Sequence, residues 1–509
     1  MRKTWFAALA VAVGATGVTA VTAVTAASGV SQTATRSTPR HSQASSPPPS
    51  PLRWGACPSP TEAALRCARL AVPLDYRHPD GRKINIEVSR LASTKPSDTK
   101  PSEKRGVLLL NPGGPGLPGL PVPALMKLPE KVRERYDVIG FDPRGVGQST
   151  PVTCGFTRAQ GAVASNPPHP GNAADVARQA ATAKRLAAQC ATSKTADLLP
   201  HITTANTARD MDRIRAALGV PKISYYGESY GTYLGAVYTT LFPHRGDRIV
   251  LDSSLPPEGY DVEALRGQGA GFETRFPDFA KFAAAAPRRY HLGSTPAAVR
   301  AKYFQLAARL DKKPVQGYSG TDFRYVTAGL LRADSDRSKL AETWHALDTN
   351  QPPPDSGGAG GGAYSDNYPA SYLGVICGDS RWPTSVATYQ HNVAVDRVRY
   401  PMYGAITADI RPCAFWPAPA EPKVRITDRG PSDVLMVQNL RDPATPLSGA
   451  LRTRRALGER ARMVTVDQGG HVAYLTGSNA CGNDAVTDYL VTGKRPAHDT
   501  RCSAQPAAP

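Results

Sequence analysis

Residues Gly227-Glu228-Ser229-Tyr230-Gly231 set a serine between two glycines with the spacing G-x-S-x-G. At a strand-to-helix junction this pentapeptide strains the serine backbone and exposes its hydroxyl at the carboxyl edge of a sheet. The chemistry would be nucleophilic attack on a carbonyl. A plain structural turn is the competing reading, and context favours the nucleophile: Lys222–Tyr226 reads as a strand and Thr232–Leu241 as a helix. A serine hydroxyl needs a base held by an acid. Where this turn is used, the chain order is serine, acid, histidine. His471 follows the apolar run Met463–Val466 and the loop Asp467-Gln468-Gly469-Gly470, whose glycines permit a tight approach. Asp442 lies five residues beyond Val437, past the apolar run Val434–Val437, and is the expected acid. Asp252, at the end of a strand, and Asp467, near His471 in sequence, remain alternatives. A developing oxyanion needs two donors. One is the N–H of Tyr230. The other is expected from Gly114 in Asn111-Pro112-Gly113-Gly114-Pro115-Gly116, which follows the apolar run Val107–Leu110.

The elements that must hold these residues follow a strand–helix alternation. Ile84, Ile86 and Val88 alternate with polar residues after the turn signal His78-Pro79-Asp80-Gly81, which predicts an antiparallel hairpin. Short apolar runs at 107–110, 136–141, 222–226 and 248–251 are separated by loops and helical spacing, as in Ala208, Met211, Ile214 and Leu218. This pattern predicts an α/β class with a mostly parallel sheet flanked by helices. Strand runs fade between 253 and 423, a stretch expected to be an inserted, largely helical cap (lid), with a Pro/Gly loop at 352–362. Runs at 434–437 and 463–466 return to the sheet. The expected segments are 51–252 and 424–509 for the core and 253–423 for the cap.

Residues 1–27 read as a signal peptide: Arg2 and Lys3, then an uncharged Ala/Val/Gly/Thr stretch ending in small residues. A retained membrane anchor is the competing reading, disfavoured by weak hydrophobicity. Residues 28–50 read as a disordered linker or propeptide rich in Ser, Thr and Pro. Eight cysteines without a Cys-x-x-Cys pair point to disulfides in an exported chain rather than to zinc or redox chemistry. Pairing of neighbours in chain order would close local loops: Cys57–Cys67, Cys154–Cys190, Cys377–Cys413 and Cys481–Cys502. The formal charge is +19, and +15 from Pro51 onward. No dense basic run or aromatic–basic interleaving accompanies it, so a solvated basic surface is expected and a nucleic-acid partner is not.

The glycine loop 111–116, the segment Phe141-Asp142-Pro143-Arg144-Gly145-Val146-Gly147-Gln148-Ser149, the pentapeptide 227–231, the stretch around Asp442 and His471, and Leu70-Ala71-Val72-Pro73-Leu74-Asp75-Tyr76 together resemble the tripeptidyl and prolyl aminopeptidase branch of secreted serine α/β-hydrolases. Pro112 stands where prolyl aminopeptidases usually carry histidine, which favours the tripeptidyl side. Leu117-Pro118-Gly119 is bulkier than expected after the glycine loop. The resemblance implies an α/β-hydrolase fold, no metal or cofactor, and release of short peptides from substrates with a free N-terminus. It also implies that Asp142 and Arg144 brace the oxyanion loop. An aminopeptidase must meet a free ammonium with a carboxylate. Asp379 is the first candidate and Glu228 the second. An esterase or lipase with the same triad, and a non-catalytic binding module on this fold, are the other readings.

Overall fold

The computed structural model describes residues 50–58, 64–95, 105–354 and 364–505. The signal peptide and nearly all of the linker expected at 1–50 lie outside these residues, as does most of the loop expected at 352–362.

Among the described residues ten strands form one sheet. In chain order they are β1 (Gly55–Ala56), β2 (Arg66–Pro73), β3 (Lys83–Leu91), β4 (Gly106–Asn111), β5 (Tyr136–Phe141), β6 (Ile223–Glu228), β7 (Gly246–Asp252), β8 (Val434–Arg441), β9 (Ala461–Gly469) and β10 (Thr500–Cys502). Across the sheet the order is β1-β2-β3-β5-β4-β6-β7-β8-β9-β10. The first three strands pair antiparallel, as does β3 with β5, and all pairs from β5 to β10 are parallel. The hairpin β2–β3 is the one expected from the 78–81 turn, where Gly81 N–H donates to the His78 carbonyl at 3.0 Å. The central strands carry the runs Val107–Leu110 and Val434–Val437, buried throughout because helices cover both faces. The chain therefore has the α/β-hydrolase fold, with a mostly parallel sheet flanked by helices.

Helix Thr204–Ala217 begins where the Thr203 hydroxyl accepts the N–H of Asn206, and it ends just before Gly219. It and helix Tyr230–Leu241 pack on each other beside the sheet.

Between β7 and β8 the described residues form helices and no strand of the sheet. Helices Val262–Ala284, Pro296–Lys312, Gly320–Leu330 and Arg337–Asp348 share an aromatic core of their own, built on Phe272, Phe276, Phe279, Tyr303, Phe323 and Trp344. Helix Asn367–Asp379 packs on Arg158–Ser165, and Val386–Arg399 packs on Ala173–Ala191. The expected boundaries assign 158–191 to the first core segment, but these helices stack on the 253–423 segment. The junction is polar. Asp366 accepts the N–H groups of Cys154 and Phe156 at 2.8 and 2.9 Å, and Asn367 donates to the carbonyls of Gly145 and Val152. All eight cysteines pair as neighbours in chain order, in the four bridges expected. No helix among the described residues is long and apolar enough to cross a membrane.

Candidate active site

Ser229 sits between β6 and helix Tyr230–Leu241 with φ 56° and ψ −122°. Such a conformation costs energy in a non-glycine residue and persists only when its surroundings enforce it. Here they do. The Ser229 N–H donates to the Asp252 carbonyl at 2.9 Å, and the Ser229 carbonyl accepts from the Thr232 N–H and hydroxyl. A Cβ on Gly227 would stand 2.5 Å from the Gly231 carbonyl oxygen, so the turn closes only around glycine. The glycine loop lies directly over it. A Cβ on Gly113 would meet the Glu228 carbonyl oxygen at 2.6 Å and the Tyr230 nitrogen at 3.2 Å. Gly113 itself is held by its N–H, which donates to Asn111 Oδ1 at 3.0 Å.

His471 follows β9 on a loop tied down at almost every residue. Its N–H donates to the Arg332 carbonyl at 2.6 Å. The Val472 N–H reaches Ser253 Oγ, and the N–H groups of Ala473 and Tyr474 reach the Asp252 carboxylate, both at 2.8 Å. Asn439 Nδ2 donates to the Gly470 carbonyl. The ring Nδ1 stands 2.9 and 3.1 Å from the two oxygens of Asp442, which is fully buried. With a carboxylate there, Nδ1 carries the proton and Nε2 presents its lone pair. Burial alone would raise the Asp442 carboxyl, but the adjoining His471 ring and the N–H groups of Thr445 and Ala444 outweigh it and hold the group below its ordinary value.

Ser229, Glu228, His471 and Gly114 line one cavity of about 540 Å³ between the sheet edge and the helices above it. The two alternatives for the acid are placed elsewhere. Asp252 is spent on the backbone after His471 and on the Tyr226 hydroxyl at 2.9 Å. Asp467 pairs with Arg441 and Arg501.

Two expected roles are corrected. Asp379 does not line the cavity. It is half-buried, and it accepts the Thr204 N–H at 2.8 Å and the Thr204 hydroxyl at 2.5 Å. Thr204 Oγ1 lies 2.6 Å from the Tyr230 hydroxyl. With its one proton given to Asp379, Thr204 accepts from Tyr230. Asp379 thus anchors the residue after the nucleophile instead of meeting a ligand. Arg144 does not touch the glycine loop. Its guanidinium makes two 2.7 Å bonds to Asp210 and donates to the Pro73, Leu74 and His201 carbonyls, in a wholly buried pair. Asp142 does hold the chain after the glycine loop, accepting the N–H groups of Gly119, Leu120 and Gln148.

Sequence reasoning passed over Thr445, whose hydroxyl donates to Asp442 Oδ2 at 3.0 Å and lies 3.3 Å from His471 Nδ1. It sits three residues after the acid, a signal visible only once Asp442 is assigned. It also passed over the cavity roof, where Tyr260, Tyr325, Tyr372, Tyr403, Arg332 and Arg411 converge from distant positions. Glu228 also lines the cavity. Burial and the nearby Asp252 push its carboxyl up to about 8.

A strained serine at a strand–helix turn and a buried His–Asp pair, facing one cavity on this sheet, define a serine hydrolase. A model of the TAP-like protein family matches residues 400–502. The chain is 37% identical to a tripeptidyl aminopeptidase of Streptomyces lividans, over 86% of this chain and 84% of that one. It is 28% identical to serine protease Hip1 of Mycobacterium tuberculosis, over 89% and 91% of the two chains. It is also 32% identical to a protein of the same organism named carboxylesterase B, over 86% of each. The chain belongs to the tripeptidyl aminopeptidase family of serine peptidases.

Proposed function

We propose that this protein is an exported exopeptidase that releases short peptides, tripeptides in the main, from the free N-terminus of peptide substrates. Ser229, His471 and Asp442 act as its triad. The observation that carries the reading is the His471 ring, held by both oxygens of a buried Asp442 and opening on the cavity that Ser229 lines.

In this mechanism Nε2 of His471 takes the Ser229 proton as the oxygen attacks the scissile carbonyl. Asp442 stabilises the imidazolium that forms. The N–H groups of Gly114 and Tyr230 receive the oxyanion. Asp142 and the Asp379–Thr204–Tyr230 chain keep those two backbone segments in place. His471 then protonates the leaving amine, and water repeats the sequence to free the acyl group. Among the described residues Glu228 is the one carboxylate lining the cavity, and it supplies the partner for the substrate ammonium. An arriving cation favours its ionised form and lowers its affinity for the proton. Four disulfides support an extracellular setting.

The relative named carboxylesterase B makes ester cleavage the second reading. Chromogenic mono-, di- and tripeptidyl amides, their N-blocked forms and a fatty-acyl ester separate the two. Free-amine tripeptidyl amides are expected to give the highest kcat/KM. Ser229→Ala is expected to lose activity by about 10⁴-fold or more while remaining folded. Faster turnover of blocked peptides or of the ester would overturn the exopeptidase assignment.

A further inference from the structure

The cavity roof carries two guanidinium groups that catalysis does not use. Arg411 follows the helix Gly404–Thr407, is only 5% exposed, and lines the cavity. Its Nη1 donates to the Ser165 carbonyl at 2.8 Å, and its Nε has no acceptor among the described residues. Arg332, an exposed residue, lines the same cavity, and its carbonyl holds the His471 N–H.

Neither guanidinium forms an ion pair with a carboxylate among the described residues. Asp334, two positions from Arg332, is taken by Arg275 and Arg337. Asp409 acts on Arg411 only through space, and its Oδ2 is itself without a partner. Both arginines line the one cavity together with Tyr372 and Tyr403. Glu228 lines the same cavity from beside the nucleophile, whereas Arg332 and Arg411 come from the segments that follow helices Gly320–Leu330 and Gly404–Thr407. One buried guanidinium and one exposed one, lining the cavity beside tyrosines and without an ion-pair partner among the described residues, make a site for a planar anion. Arginine offers a carboxylate paired N–H donors in matching geometry.

We propose that Arg332 and Arg411 form a carboxylate-binding subsite in the cavity roof, and that the enzyme selects peptides bearing a carboxylate close to the scissile bond. The choice of a peptide as ligand rests on the exopeptidase reading. The carboxylate belongs either to an acidic side chain or to the C-terminus of a short peptide, and the test separates these sources.

Calorimetric titration of the Ser229→Ala protein needs no turnover. The probes are alanine tripeptide amides with glutamate or glutamine at each position in turn, and tetra-alanine as free acid or amide. At low salt, one glutamate peptide, or the free acid, is expected to bind about tenfold or more tightly than its uncharged counterpart. That ratio is expected to fall to near one when Arg332→Gln is added. The Arg411→Gln variant is read the same way. A ratio within one variant is insensitive to how much protein has folded, which matters for a buried residue. Equal binding of every charged and uncharged pair would overturn the subsite, as would selectivity that survives both substitutions. Acid-selective binding without turnover of any peptide amide by the wild type would keep the subsite and remove the exopeptidase reading.

Discussion

His471 is useful only in one tautomer, and Asp442 selects it. An asparagine at 442 can accept or donate, so the ring loses its enforced Nδ1 proton and the imidazolium loses its counter-charge. Asp442→Asn is expected to lower kcat by about 10⁴-fold with KM little changed. Steady-state kinetics on a tripeptidyl amide checks this, and a drop below tenfold would mean another group holds the ring. The positions proposed for the triad could be read from the sequence because acyl transfer constrains residue type, chain order and location after strands all at once. Asp379 and Arg144 were misread for the opposite reason. Each is an acid or a base whose partner, Thr204 or Asp210, lies 175 or 66 positions away, and nothing local marks it. The roof arginines were invisible on the same grounds, whereas Thr445 lies only three residues after Asp442 and shows its role only once that acid is assigned.

Among the elements, the loop 111–116 and the turn 227–231 work as one unit because their backbones touch. A methyl group at position 113 would collide with backbone, the Glu228 carbonyl oxygen and the Tyr230 nitrogen, which cannot swing aside as a side chain can. Gly113→Ala is therefore expected to displace the loop from the nucleophile and cut kcat by about 10²-fold, the usual scale for one misplaced oxyanion donor. Unchanged kcat in a folded variant would show that the loop is not part of the oxyanion site. The central strands were readable from short apolar runs because a parallel strand covered on both faces has no polar side. The edge strands were not. β1 and β10 span two and three residues, too few to show a pattern, and the Cys57–Cys67 and Cys481–Cys502 bridges hold both at the sheet edges.

At the scale of the whole molecule, the helices above the sheet come from two excursions of the chain, 142–222 and 253–433, that interlock through Asp366 and Asn367. Chain order suggested one cap because periodicity reveals helices but not what they pack on. The fold holds several acids where burial penalises their charged form. Burial raises Asp252 and Asp379 to about 6, and Asp409 to about 7; burial and the Asp252 charge together raise Glu228 to about 8. For each, the folded chain holds the proton more tightly than the unfolded chain. The stability this gives is full below the ordinary carboxyl value and is lost as pH rises through the folded value. For Glu228 the window runs from 4.5 to about 8. Denaturant unfolding at pH 5 and pH 9 is expected to show a smaller loss of stability for Glu228→Gln than for the wild type. Equal losses would place Glu228 in contact with solvent.

The central claim is that Ser229 is the nucleophile and that His471 activates it. Labelling with a fluorophosphonate, followed by peptide mass spectrometry, tests it directly. One adduct per chain on Ser229 is expected, absent in Ser229→Ala and slowed by about 10³-fold or more in His471→Ala. An adduct on any other residue, or labelling of Ser229 at the same rate without His471, would contradict it.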